Sequence, residues 1–222
     1  MYAKFLSVRG RSSESVCAWI AREMQLPIPE PVFLRVLKPQ TPKNLLWPFG
    51  EAQEGEIFGL IGIPNALPLR TARRVPIELL ANWKHLAAAA IFDELVMNSD
   101  RSESNLLFAA PADIYIIDHE QCLRDADLVD ADSKLSTHLN FLMTELRKLP
   151  AGVRFELKNE ISRRCAFLRS IIELVPYEQL LVPDELATRF AKTLKSRARV
   201  LDSLILSEIG IPMVGGMTSF RQ

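Results

Sequence analysis

Asp100 and Asn105 stand with four residues between them in the run Asn98-Ser99-Asp100-Arg101-Ser102-Glu103-Ser104-Asn105, which leads into the apolar pair Leu106-Leu107. A second acid, Asp118, directly follows the apolar run 114–117. Phosphoryl transfer from ATP needs this set of groups. The triphosphate concentrates negative charge, so its site holds Mg²⁺ through oxygen ligands, usually carboxylates and an amide. A further carboxylate lies beside the attacking hydroxyl, orients it and takes its proton. An Asp, four residues and an Asn, then an Asp at the end of the next hairpin, supplies both. Asp100 then orients the nucleophile, while Asn105 and Asp118 bind the metal. The Asp/Asn spacing carries little alone, because both residues crowd into loops for local hydrogen-bonding reasons. An acid directly after an apolar strand adds weight, since packing does not explain it.

Lys4 and Glu14 are the other candidates. Lys4 interrupts an apolar strand, and Glu14 opens the helix expected after it. A strand lysine aimed at phosphates and held by a glutamate on the adjacent helix is a recurring phosphate-binding pair. The plainer account is a solvated lysine and a glutamate placed for the helix dipole, and only the downstream motif tips the balance.

The elements that must position these groups can be read along the chain. Residues 2–8 form a strand, and Ser12 or Ser13 caps a helix to about residue 25, with Val16, Ile20 and Met24 as its apolar stripe. Pro27, Pro29 and Pro31 end that helix, and 32–37 is a second strand. The segment 38–55 is rich in Pro, Lys and Gly and reads as a hinge; 56–69 reads as irregular or short-stranded. A long helix over 76–97 precedes the Asp100 loop, and 106–108 and 114–117 form a hairpin around Ala110-Pro111-Ala112-Asp113. Helices over 133–149, 155–174 and 184–205 follow, bounded by Pro150, Pro176 and Pro183. The divisions are 1–40, a partial N-lobe; 41–75, hinge and linker; 76–209, a helical C-lobe with the catalytic loop and metal-site hairpin; and 210–222, a loose tail. The fold class is α+β, two-lobed, strands in front and helices behind.

Bulk properties fit this outline. The 222 residues suffice for a substantial core. Lys plus Arg and Asp plus Glu number 27 each, which argues against a generally nucleic-acid-binding or membrane-attracted surface. Cys17, Cys122 and Cys165 are widely spaced and suit reduced, buried thiols rather than a disulfide framework or a zinc site. His85, His119 and His138 lack metal-ligand spacing. A signal peptide or membrane span is not expected, which points to a cytoplasmic protein. Arg70, Arg73 and Arg74 read as a solvated face before a phosphate or acidic-substrate contact, and Trp19, Trp47 and Trp83 as core or lobe-interface residues.

The pieces Tyr2-Ala3-Lys4-Phe5, Ser13-Glu14-Ser15, Leu26-Pro27-Ile28-Pro29-Glu30-Pro31, Phe92-Asp93-Glu94-Leu95-Val96-Met97-Asn98-Ser99-Asp100-Arg101, Asn105-Leu106-Leu107 and Ile116-Ile117-Asp118-His119, in this order, resemble the HipA-like kinases. The resemblance spans about residues 2–123. It implies a protein-kinase-like fold with a mostly helical C-lobe, with ATP and Mg²⁺ as cofactors and a protein serine or threonine as substrate. Some relatives act as toxins in toxin–antitoxin pairs. By position, Lys4 binds the ATP phosphates, Glu14 pairs with it, Asp100 is the catalytic Asp, and Asn105 and Asp118 ligate Mg²⁺. Ser102 stands where many relatives have a histidine. The sequence opens at the lysine-bearing strand, so the expectation is a truncated N-lobe without the glycine-rich loop. A later start codon than the true one, a partner chain supplying the missing piece, or a remnant of weak activity would each account for that. The rival reading is a catalytically weak or inactive kinase-fold protein, a pseudokinase that senses nucleotide or binds a partner. A lipid kinase is weaker still, because no marked basic face is evident.

Overall fold

A computed structural model describes residues 2–38, 51–71, 78–109, 113–124 and 140–211. Strand β1 (Tyr2–Lys4) leads into helix α1 (Val8–Glu23), which starts earlier than its serines suggest. Ser7 is the cap: its hydroxyl accepts from the Gly10 N–H at 3.0 Å. Ser12 sits a turn inside and bonds back to the Val8 carbonyl at 2.8 Å, so the Ser12/Ser13 cap is corrected to Ser7. Val16, Ile20 and Met24 are buried, as their spacing predicts. Gln25, with φ of 56°, turns the chain out of the helix.

Strand β2 (Pro31–Leu37) pairs antiparallel with β3 (Glu54–Leu60), and β1 pairs with the other edge of β3, giving the order β1-β3-β2. Residues 54–60, read from the sequence as the end of a hinge followed by irregular or short-stranded chain, are therefore the central strand. Gly55 and Gly59 weaken the strand signal locally. Pairing on both sides, with Ile57 and Phe58 buried, overrides it. The second sheet has the order β4-β5-β6: β4 (Leu67–Pro68), β5 (Leu106–Ala109) and β6 (Asp113–Ile116). The hairpin predicted around residue 111 is β5–β6, in register Leu106↔Ile116 through Ala109↔Asp113. Pro27 and Glu30 tie the two sheets together: the Ile116 N–H donates to the Pro27 carbonyl at 3.0 Å, and the Ile61 N–H to that of Glu30 at 2.8 Å.

The single helix expected over 76–97 is instead α2 (Glu78–Ala81) and α3 (Leu86–Leu95). Tight turns at Trp83 and Leu86 bridge them and fold Trp83 into the core. The C-terminal helices are α4 (Phe141–Lys148), α5 (Ala151–Glu156), α6 (Lys158–Ile171) and α7 (Asp184–Glu208). All of α3 is buried, packed against α4, α6 and α7. Its Ala87–Ala90 run lets those helices approach closely. The expectations placed on residues 39–50, 110–112, 133–139 and 212–222, and on Trp47, Arg73, Arg74 and His138, lie outside the described residues.

Glu94 fixes α7 to α3. Its Oε1 accepts from an Arg197 Nη at 2.7 Å, and its backbone carbonyl accepts from Arg197 Nε at 2.8 Å, with both side chains almost wholly buried. Asn140, the α4 cap, donates to the Ala90 carbonyl at 3.0 Å and to the Glu94 carboxylate at 3.3 Å. Burial pulls the Arg197 pKa down, against the opposing pull of Glu94. Arg197→Met removes the guanidinium from a buried carboxylate and should cost about 3–5 kcal/mol in urea unfolding. Arg197→Met combined with Glu94→Leu should recover most of that loss. A single-variant cost below about 1 kcal/mol, the range of exposed pairs, would contradict this assignment.

Candidate functional site

The site is built around a buried guanidinium. Arg101 Nε and one Nη donate to the two carboxylate oxygens of Asp93 at 2.9 and 3.0 Å. The other Nη donates to the carbonyls of Asn105 at 2.9 Å and Ile117 at 2.7 Å. One side chain thus ties α3 to both strands of the hairpin, at the residues where Asn105 leaves the loop and Asp118 begins the next. The Ile117 N–H closes the same end by donating to the Asn105 carbonyl at 3.1 Å. Asn98 lies in the same cluster, donating to Asp93 at 3.0 Å and accepting from the Asp100 N–H at 3.2 Å. Burial opposes the charge on Arg101, but Asp93 outweighs it and the Arg101 pKa is raised.

Asp100 and Asn105 face each other across this loop. The Asn105 amide nitrogen donates to the Asp100 carbonyl at 2.9 Å, with the Asp100 carboxylate oxygen 3.4 Å away. Ser102 shapes the turn between them: its hydroxyl accepts from the Ser104 N–H at 3.3 Å and its carbonyl from the Asn105 N–H at 3.0 Å. With its nitrogen engaged, the Asn105 amide keeps its oxygen for another partner. Asp118, across the hairpin end, has φ of 65°, a conformation that Asp and Asn tolerate better than most side chains.

The sequence pairs Lys4 with Glu14; the structure pairs Lys4 with Asp118. Lys4 Nζ lies 2.7 Å from Asp118 Oδ1 and 3.6 Å from Glu120 Oε2. Glu14 lies in the second turn of α1, is buried, and has its Oε2 3.4 Å from His119 Nδ1. The reason is reach. The helix starts at Val8, so Glu14 faces the segment after Asp118, where the Ser13 hydroxyl also donates to the Cys122 carbonyl at 2.9 Å. His119 is wedged between Glu14 and the Phe92 ring, whose centroid is 5.4 Å away. Glu14, Asp118 and Glu120 nonetheless bring carboxylate oxygens within 4.8 Å of one another. Partial burial alone would lower the Lys4 pKa; the Asp118 hydrogen bond and the charges of Asp118, Glu120 and Glu14 raise it.

Beside this cluster a cleft of about 390 Å³ runs between the two sheets. Phe58, Ile63, Ala66 and Leu107 line its apolar part, and Lys4, Glu14 and Asp118 its polar end. A flat apolar body with a charged tail suits such a space. The carboxylates of Glu14, Asp118 and Glu120 beside it are donors of the hard oxygen type that Mg²⁺ takes. These residues therefore fit a divalent cation.

Asp93, Arg101 and Glu120 were missed as functional residues in the sequence. Adjacent acids, Asp93 and Glu94, on an otherwise apolar helix were the available signal for buried ion pairs. Glu120 lies in irregular chain, where no periodicity points to it.

A β-rich N-terminal region, a helical C-terminal region and an acid-bearing hairpin beside the cleft define a protein-kinase-like architecture. The profile of one family, HipA-like kinase, matches residues 3–204, and the chain belongs to that family. No individually curated protein matches it. Among the described residues, no helix is long and apolar enough to cross a membrane.

Arg101→Lys tests the organising pair. One ammonium cannot make the forked contact to Asp93 and also reach two carbonyls. We expect a loss of about 2–3 kcal/mol in denaturant unfolding, in line with losing charge-assisted bonds from a buried site. Faster amide exchange should appear at Ile117, whose N–H closes the hairpin end. Unchanged exchange there would mean that the hairpin stands without Arg101.

Proposed function

We propose that this chain is an ATP- and Mg²⁺-dependent phosphotransferase that acts on a serine or threonine hydroxyl of a protein. The observation that supports this reading is that the Asn105 end of the hairpin, where Asn105 bonds Asp100, is hydrogen-bonded to Ile117 next to Asp118, while Asp118 and Lys4 pair at an apolar cleft that both line. The apolar cleft would take the base, and Lys4 would neutralise phosphate charge. The Asn105 oxygen and the Asp118 carboxylate would ligate Mg²⁺, which bridges and neutralises phosphate oxygens when bound. Asp100 is exposed, as a group that must meet an incoming hydroxyl needs to be. Its carboxylate would orient that hydroxyl and accept its proton as the oxygen attacks. Catalysis of this kind rests on positioning and on charge stabilisation. Family membership supports the reading at the level of the fold.

A second reading has its own support. Lys4 is bound to Asp118 and Glu14 is committed to His119, so both expected phosphate-site residues are engaged with protein groups. A nucleotide-sensing or partner-binding protein without phosphotransfer would be compatible with that arrangement.

Melting with and without Mg·ATP, followed by a turnover assay, separates these readings. Ligand at about a hundred times its dissociation constant adds about 2.7 kcal/mol, which is a shift of about 5–11 °C for a domain of this size. Wild type should show that shift only with Mg²⁺ present, and Asp118→Ala should lose it. Asp100→Ala should keep the shift yet lower phosphoryl transfer by about 10²–10⁴-fold. A Mg²⁺-dependent shift with no transfer to any protein, the chain itself included, would favour the sensing role.

A further inference from the structure

Lys4 is shared between Asp118 and Glu120, and this sharing cannot survive in a working site. A carboxylate that ligates a divalent cation no longer serves as the main partner of a nearby ammonium. Lys4 then needs another acid to hold it toward phosphate. Glu14, the expected candidate, is enclosed with His119 under Phe92 and is 3 % exposed. Glu120 is differently placed. Its Oε2 already lies 3.6 Å from Lys4 Nζ, its side chain is 30 % exposed, and its other oxygen has only a long contact, 3.5 Å, from the Gln121 amide. Gly10 gives it room: a Cβ there would meet the Glu120 Cβ at 3.7 Å and the capping Ser7 hydroxyl at 3.3 Å. The loop that carries Glu120 is anchored by bonds from Ser13 to the Cys122 carbonyl, 2.9 Å, and from Arg9 to the Leu123 carbonyl, 2.7 Å.

We infer that Glu120 is the positioning residue for Lys4, taking the part the sequence would give to Glu14, while Glu14 serves to fix His119 and the chain after Asp118. The inference rests on the reading of Lys4 as a phosphate-binding group. It makes a specific claim about coupling. Glu120 affects nucleotide through Lys4 alone, so its removal has no adverse effect once Lys4 is gone.

A double-mutant cycle read by calorimetry tests this. The variants are Lys4→Met, Glu120→Gln and their combination, with a parallel cycle for Glu14→Gln, each titrated with Mg·ATP and with adenosine. Glu120→Gln should weaken Mg·ATP binding by about tenfold, within the range of contact coupling. Adenosine has no phosphate and should bind unchanged. In the Lys4→Met background, Glu120→Gln should cause no further weakening, and Glu120→Asp in the native background should restore most of the affinity. Additive losses, equal loss of adenosine binding, or stronger coupling of Lys4 to Glu14 than to Glu120 would each overturn the assignment of Glu120 alone. A wild-type protein that shows no Mg·ATP binding would instead overturn the phosphotransferase reading, and this inference with it.

Discussion

The bidentate contact between Asp93 and Arg101 is the constraint on which the site depends. Both side chains are wholly withdrawn from water. Such a pair contributes little net stability, because the cost of desolvating two ions rivals their attraction. Its effect is positional. The carboxylate occupies one edge of the guanidinium fork, and the remaining N–H groups turn to the carbonyls of Asn105 and Ile117. These carbonyls belong to Asn105 and to the residue before Asp118, the two residues proposed here to hold a metal. A cation inside the protein thereby sets the distance between two groups that would hold a cation at its surface.

The same helix does this twice, on faces about 100° apart. Asp93 faces the loop and hairpin, while its neighbour Glu94 faces α7 and the cap of α4. Two adjacent acids on a fully buried helix would be ruinous if either lacked a partner. With Arg101 and Arg197 in place, they make α3 the common reference for the site and for the helical half behind it. Registry is demanded of both halves, since a slip of α3 by one residue would leave one arginine facing the wrong acid and the other buried without a carboxylate.

Much of this was legible in the chain itself. The apolar stripe of α1, the β5–β6 hairpin and the order Asp100, Asn105, Asp118 follow from periodicity and spacing. The central strand β3 was only partly legible, as one of two readings of 56–69, because Gly55 and Gly59 mimic a loop until two flanking strands supply hydrogen bonds. The break between α2 and α3 was also hidden, since residues 76–97 keep a helical apolar pattern straight through Trp83. The partner of Lys4 was unreadable for a different reason. Ser7 and Ser12 are both acceptable caps, and the choice decides which way Glu14 points. Arg101 stood in view within the loop, but its acceptors come from a helix eight residues back and a strand sixteen residues on. Only the fold brings them together.

The left-handed backbone at Asp118 bears on how this family can change over time. At φ of 65° most side chains are strained, and Gly, Asn and Asp are the least disfavoured. Both aspartate codons reach those of asparagine and glycine by a single base change. The substitutions that leave the loop comfortable are therefore the ones that strip or dilute the acid. Lineages can drift from a charged to an uncharged residue here without passing through a misfolded intermediate. Loss of the carboxylate at this position is mutationally close and structurally silent, so a folded relative with Asn or Gly in its place would keep the shape of the fold without the group proposed here to hold a metal.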